Sequence, residues 1–336
     1  MSYSIILVQK SNEECVENDC MIDSYVSRLF TFSGAGNDFV VLDGRQGGME
    51  PFRQPGRIGE LCQEYHTDGL MILTLPSGEP GAEIRSDKIP GQAGNDDLGH
   101  VRNDGRAMVG SSRPSSYDFV MEFYNPDGSG GMMCGNGGRC IVAFANYLGI
   151  NPANGHTYHF LAPDGEHTAQ ILSQEIPGEK WTVRLKMIDV QGITPIKDGL
   201  FLNTGTRHYV QFVDQVDSID MEKTAKPIRW DAAFQPEGTN VNFVEVRADG
   251  LHVRTFEKGV EGETLACGTG LTACALAAYK AGVPSDNSYR LQCRRGDWLQ
   301  VDFLPSAPST PSAPSAPDTF TDVYLTGPAE LVAIVA

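Results

Sequence analysis

At 336 residues the chain is long for one core and fits two ordinary domains, and 40% hydrophobic against 21% charged residues is a globular balance. A net charge of −17 with no stripe of lysine and arginine argues against nucleic acid and anionic membrane surfaces as partners, so an acidic substrate must be held by local groups. Eight cysteines in a chain this long, with no signal-like N-terminus and no Cys-x-x-Cys pair, read as reduced thiols; no structural metal, no bilayer-spanning run and a cytoplasmic location are the expectations.

Residues 1–28 are polar and read as an extension, and the fold begins near Leu29. Apolar clusters at Phe30 and Phe32 and from Phe39 to Leu42 flank the glycine loop Ser33 to Asp38, which predicts strand, loop, strand. Arg57 to Tyr65 is helix-like and Leu70 to Leu75 strand-like. From 78 to 116 the composition turns to Gly, Asp, Asn, Ser and Arg, an insertion with little to bury. A strand from Phe119 to Tyr124 then runs into the turn Asn125-Pro126-Asp127-Gly128. Thr157 to Leu161, His167 to Leu172 and Trp181 to Met187 alternate as antiparallel strands.

The second half repeats the scheme with β-like runs at Leu200 to Leu202, His208 to Val213, Val241 to Val246 and His252 to Phe256. A proline, serine and alanine tract at 305–317 separates Trp298 to Leu304 from Phe320 to Leu325. The predicted organisation is an extension (1–28), one lobe (29–187, with the last strand, 328–336, returning to it) and a second lobe (188–327). The predicted class is α+β: two pseudo-symmetric lobes, each an antiparallel sheet or barrel wrapped around a central helix. Neither half shows an alternating βαβ pattern or a complete dinucleotide-binding fingerprint.

The chain has built one motif twice. Met-Cys-Gly-Asn-Gly at 133–137 and Ala-Cys-Gly-Thr-Gly at 266–270 each open a run of small apolar residues that reads as a helix. A thiol at a helix N-terminus meets unpaired backbone N–H groups, which favours the thiolate, and the flanking glycines let those groups approach an anion. Taken singly, either phrase is also what a buried cysteine beside a tight turn looks like. Taken together, they suggest two thiols facing one small carboxylate substrate, one removing a proton and the other returning it.

Five phrases in order resemble the motifs of the diaminopimelate epimerase family: Gly36-Asn37-Asp38-Phe39-Val40-Val41, Asn125 to Ser129, Met133 to Gly137, Gly238 to Phe243, and Glu263 to Gly270. The resemblance runs from about residue 29 to the C-terminus, apart from the two insertions. It implies two pseudo-symmetric lobes around a cleft, a homodimer, and cofactor-independent inversion at an amino-acid α-carbon in lysine and peptidoglycan precursor biosynthesis. On this resemblance Cys134 and Cys267 are the acid and base thiols, with His208 and Glu257 supporting them. Gly135, Asn136, Gly268 and Thr269 receive the α-carboxylate, and Asn37, Asn125, Asn240, Glu257 and Lys258 hold the substrate's polar ends, with Thr206 and Arg207 beside them.

Asn37 and Asn125 lie next to glycine or proline and read equally as turn formers, His208 as a surface histidine, and Glu257 with Lys258 as a solvated pair. The chain also departs from the family. Lys258 stands where an arginine is usual, Thr206-Arg207 where Asn-Pro is frequent, and Tyr65 to Gly69 looks shortened, so the distal carboxylate contacts are the open point. The rivals are a related racemase or epimerase with another amino acid as substrate, against which Asn136 speaks, and a thiol redox protein using Cys134 and Cys267.

Overall fold

The computed structural model describes residues 6–8, 28–76, 117–131, 133–306 and 319–335. Most of the extension, the whole insertion at 78–116 and the linker from 307 to 317 lie outside the described residues. In chain order the strands of the first half are β1 (Ile6–Val8), β2 (Leu29–Ser33), β3 (Asp38–Asp43), β4 (Gly69–Thr74), β5 (Phe119–Tyr124), β6 (Tyr158–Ala162), β7 (Gly165–Ile176) and β8 (Lys180–Lys186). Those that follow are β9 (Val190–Gln191), β10 (Thr194–Ile196), β11 (Gly199–Asn203), β12 (Arg207–Phe212), β13 (Asn240–Arg247), β14 (Gly250–Glu257), β15 (Gly262–Thr264), β16 (Ser288–Gln292), β17 (Trp298–Ser306) and β18 (Thr319–Val335). The helices are α1 (Pro55–Tyr65), α2 (Gly135–Tyr147), α3 (Met221–Arg229) and α4 (Gly268–Lys280).

The 17-residue β18 belongs to both halves of the sheet. Its middle pairs with β8 and its end with β2, so the run from β2 to β8 closes into a barrel through β18. Its first residues pair with β17 and β9, which ties in the second run, β10 to β14 and then β16 to β17. Pro305 and Ser306 pair with Phe320 and Thr319, so β17 extends two residues into the proline-rich tract.

Each run encloses one helix. Gly135 to Ala145 of α2 are all buried, and so are Leu271 to Ala278 of α4. A helix apolar on every side has no solvent face to keep, and the small residues let the surrounding strands approach. Phe30, Phe32, Phe144 and Trp181 pack as tilted and edge-on rings on α2, which fixes that helix in its barrel.

The sheet is mixed. Besides the predicted antiparallel meander of β6, β7 and β8, five pairs among the described residues are parallel: β3 with β4, β5 with β6, β12 with β13, β14 with β16, and β1 with the end of β18. Each of the first four pairs is bridged by one α-helix, α1, α2, α3 and α4 in turn. A parallel pair needs such a crossover. The absence of βαβ units predicted from the sequence is therefore corrected: each half contains two. The one in the second half that α3 bridges was hidden because α3 is a nine-residue, largely polar helix with Pro227 inside it, which reads as a helix breaker. Its start is nevertheless signalled by Asp220, whose carboxylate accepts from the Lys223 N–H at 3.2 Å.

Candidate active site

Cys134 and Cys267 are the N-cap residues of α2 and α4, both in extended backbone conformation, which directs each chain from outside the barrel into its central helix. The two helix starts meet. A Cβ on Gly268 would lie 3.4 Å from the Gly135 Cα, and one on Gly135 3.7 Å from the Gly268 Cα, with the Leu325 side chain of β18 against both. The two helix N-termini thus lie within van der Waals reach of each other, with Leu325 filling the space that a side chain at either glycine would need. Their unpaired N–H groups then point at one place, which suits an anion. Cys140 and Cys274, one to two turns further in, are fully buried and face the core.

The thiols differ from the sequence-based expectation. Burial pushes Cys134 up, and it pushes Cys267 up to about 12, helped by the nearby Glu257 charge. The helix-end donors act in the predicted direction but do not win. The Gly137 N–H donates to Cys134 Sγ at 3.2 Å, and the neighbouring Arg139 charge also lowers that thiol. Loss of water costs a sulfur anion more than one backbone donor returns.

On the Cys134 side, Asn136 Nδ2 donates to Asn37 Oδ1 at 2.6 Å, and Asn136 Oδ1 accepts from Arg139 at 2.9 Å. Asn37 sits in the β2 to β3 loop, where the Gly34 N–H bonds its carbonyl at 2.9 Å and Gly36 takes a φ of 115°. That backbone is open to glycine, and a Cβ there would meet Ala266 at 3.0 Å, so the loop of one lobe abuts the cysteine turn of the other.

On the Cys267 side, Thr269 Oγ1 lies 3.5 Å from Cys267 Sγ, 3.0 Å from His208 Nε2 and 3.0 Å from Thr206 Oγ1. His208 is fully buried, not a surface residue, and Thr206 Oγ1 is 2.9 Å from the same ring nitrogen. Asn242 Nδ2 donates to the Tyr209 carbonyl at 3.0 Å and faces His208 Nδ1 at 3.1 Å, while its Oδ1 accepts from Thr255. An amide N–H aimed at Nδ1 leaves that nitrogen the acceptor, so the ring proton is on Nε2. Burial pushes His208 down to about 3. A neutral ring already protonated at Nε2 cannot take the Cys267 proton; it can only donate into the hydroxyls that reach the sulfur. Glu257, at the end of β14, is raised by burial.

The remaining predicted residues form a second cluster. Asn240 Nδ2 donates to Arg207 O at 3.0 Å and Thr206 Oγ1 at 3.3 Å, and its Oδ1 accepts from the Lys258 N–H at 2.8 Å. The Lys258 ammonium donates to Glu237 O at 2.8 Å, and Arg207 pairs with the Glu237 carboxylate at 2.7 Å. Both cations thus gather around one acidic residue of the loop before β13. Asn125 is occupied differently: its Nδ2 donates to Ser129 Oγ at 3.0 Å inside the turn, whose Gly128 N–H bonds Asn125 O at 2.9 Å. The turn-forming reading describes that contact.

Sequence reasoning passed over Arg139, Asn242 and Glu237. Arg139 is the lone charge in an otherwise apolar helix, and Asn240 and Asn242 stand two apart on one face of an apolar strand. Both patterns were visible. Among the described residues no group of three or more His, Cys, Asp or Glu side chains is placed to hold a metal ion.

A model of the family described as diaminopimelate epimerase matches residues 200–301. The chain is 33% identical over 309 residues to a diaminopimelate epimerase of Chlorobaculum tepidum, covering 89% of this chain and 97% of that protein. It is 33% identical to one from Flavobacterium psychrophilum, covering 91% and 98%. A third, from Aquifex aeolicus, is 35% identical over 82% of this chain and 89% of its own. Among solved structures, a PhzF-family phenazine biosynthesis protein of Bacillus anthracis aligns with a TM-score of 0.58 at 12% identity, over 91% of this chain and 97% of its own. A probable proline racemase of Agrobacterium radiobacter aligns with a TM-score of 0.54 at 13% identity, over 91% of both chains. These last two likenesses are of fold. With whole-length relatives above 30% identity on one side and paired cysteine helices on the other, this chain belongs to the diaminopimelate epimerase family.

Proposed function

We propose that the enzyme interconverts LL- and meso-2,6-diaminopimelate by a two-base thiol mechanism, in lysine and peptidoglycan precursor biosynthesis. The observation that carries this reading is the meeting of two cysteine-capped helix N-termini. The α-carboxylate sits against the N–H groups of Gly135, Asn136, Gly268 and Thr269, leaving the α-carbon between the sulfurs. One sulfur, as thiolate, takes the α-proton; the C–H electron pair stays on carbon and spreads into the carboxylate, whose growing charge the helix ends stabilise. The other sulfur, as thiol, delivers its proton to the opposite face. The carbon is inverted, and thiol and thiolate have exchanged places.

His208 and Glu257 act on Cys267 from behind, and Asn37 is held by Asn136 to meet the substrate's proximal polar groups. The distal amino and carboxylate groups reach toward Asn240, Thr206, Arg207 and Lys258, with Asn125 at the rim. No cofactor is needed for these steps. A homodimer and a cytoplasmic location complete the reading; exposed Leu172 and Leu304, which line one surface cleft with Arg184 and Asp302, support the former. The test is α-proton exchange with solvent deuterium over a panel of amino acids. Cysteine-dependent exchange greatest on diaminopimelate supports the proposal, exchange confined to another amino acid makes the chain a relative with a different substrate, and electron transfer to a disulfide acceptor without exchange makes it a redox protein.

A further inference from the structure

Arg139 is fully buried, yet among the described residues no carboxylate hydrogen-bonds to it. Its guanidinium donates to Pro328 O (3.3 Å), Gly135 O (3.1 Å), Gly34 O (3.2 Å) and Asn136 Oδ1 (2.9 Å), all neutral acceptors. These four contacts satisfy the geometry of the group but not its charge. A cation out of water without a counter-ion is costly, and a chain keeps one there when an anion arrives to meet it. The position is also specific. Arg139 is five residues after Cys134, bonds the carbonyl of Gly135 at the helix junction, and through Asn136 reaches Asn37.

The duplicated helix supplies the internal control. Thr272 stands five residues after Cys267, and its hydroxyl donates to the Gly268 carbonyl at 3.0 Å, as Arg139 does to that of Gly135. A neutral hydroxyl therefore suffices for that contact. The positive charge in α2 is surplus to the helix, which leaves the site as its reason.

We infer that Arg139 is a positioning residue and a buried counter-charge: it favours the anionic substrate carboxylate and the Cys134 thiolate at the helix junction, and it orients the Asn136 amide so that Asn37 is held for substrate. This rests on the proposed two-thiol chemistry and adds an electrostatic source to it. The guanidinium touches neither substrate nor sulfur. It acts through the Gly135 peptide, the Asn136 amide and its field, which low-dielectric surroundings leave little screened.

The experiment compares Arg139→Gln, Arg139→Met and Arg139→Lys with wild type. Cys134 is titrated by the pH dependence of alkylation with iodoacetamide in a Cys267→Ser background without substrate, and turnover of diaminopimelate is measured with Cys267 restored. The neutral variants should move the Cys134 profile up by about one pH unit, raise KM about tenfold and lower kcat by a similar factor. Lysine keeps the charge but loses the fork, so it should hold the thiol profile within about 0.3 unit while losing thermal stability. A folded neutral variant with the wild-type thiol profile and KM overturns the assignment and leaves the epimerase reading intact if wild type still turns over. Should neither neutral variant fold, a folded lysine variant whose thiol profile moves a full unit overturns it equally. Were wild type inactive on every amino acid tried, the epimerase reading would fall, and the thiol titration would still decide for or against Arg139.

Discussion

The two cysteine helices have the same phrase, the same cap and the same glycine contact, yet their surroundings differ. Cys134 has a backbone donor on its sulfur and a buried guanidinium behind it; Cys267 has a hydroxyl, a neutral histidine and an acid. Burial raises both thiols, and the groups that ease the thiolate are gathered at the Cys134 end, while the acid beside Cys267 adds to its rise. A symmetric scaffold thus holds an asymmetric pair, which suits a reaction that needs one proton on two sulfurs. Had both ends carried an arginine, the two thiols would differ less.

Removing a sulfur should produce the largest effect. Cys134→Ser and Cys267→Ser should each lower kcat by about 10²- to 10⁴-fold with the fold intact by circular dichroism, because a hydroxyl cannot serve as the thiolate base near neutral pH. Retained activity in either variant would end the equivalence of the two ends. Cys140→Ala and Cys274→Ala should instead lower the melting temperature and leave kcat close to wild type, since both pack into the core.

The Cys267 end can be weakened alone. Thr269→Val removes the hydroxyl between His208 and the sulfur, and should cost about tenfold in kcat/KM while raising the pH at which Cys267 is alkylated. If Cys134 shifts as much as Cys267, the two environments are not separate. Smaller effects belong to the distal cluster. Arg207→Ala and Lys258→Ala should raise KM for diaminopimelate by about three- to tenfold with little change in kcat, whereas Glu237→Gln should lower KM by freeing Arg207 from the carboxylate, with Lys258 still held by the Glu237 carbonyl. Equal KM in all three would place the distal contacts elsewhere, with the turn at Tyr65 to Gly69 next to be searched.

The gentlest distinction is in stability against pH. His208 has a folded value near 3 against an ordinary 6.5, so the unfolded chain binds the extra proton between those limits. The stability this burial contributes is complete above about pH 6.5 and is lost as pH falls toward about 3, with a slope of at most ~1.4 kcal/mol per pH unit. Urea unfolding of His208→Gln across that window should show a shallower dependence than wild type. Identical slopes would mean the ring is not buried neutral.

Much of this was legible in the chain because it was written in local patterns. Both cysteine helices, the β5 strand and the β6 to β8 meander follow from small-residue runs and alternation. The parallel pairings were not legible, since they depend on which strands a crossover brings together, and Pro227 makes α3 read as a break rather than a helix. At the site, the residue types at 134, 208, 257 and 267 could be named, but not the direction of the thiols' response. That depended on how deeply the helix junction is buried, which no single motif states. Arg139 and Asn242 escaped because a polar residue in an apolar run looks like an exception until its partners are known.

The most direct measurement is epimerisation of LL-diaminopimelate in deuterium oxide, followed at early times by mass and nuclear magnetic resonance analysis of both isomers. With one thiolate taking the proton on one face and a separate thiol delivering on the other, the newly formed meso isomer should carry deuterium at its inverted α-carbon, while recovered LL substrate keeps its protium. Product that retains the original hydrogen would contradict the two-thiol account, because a single group would then have carried the proton from one face to the other.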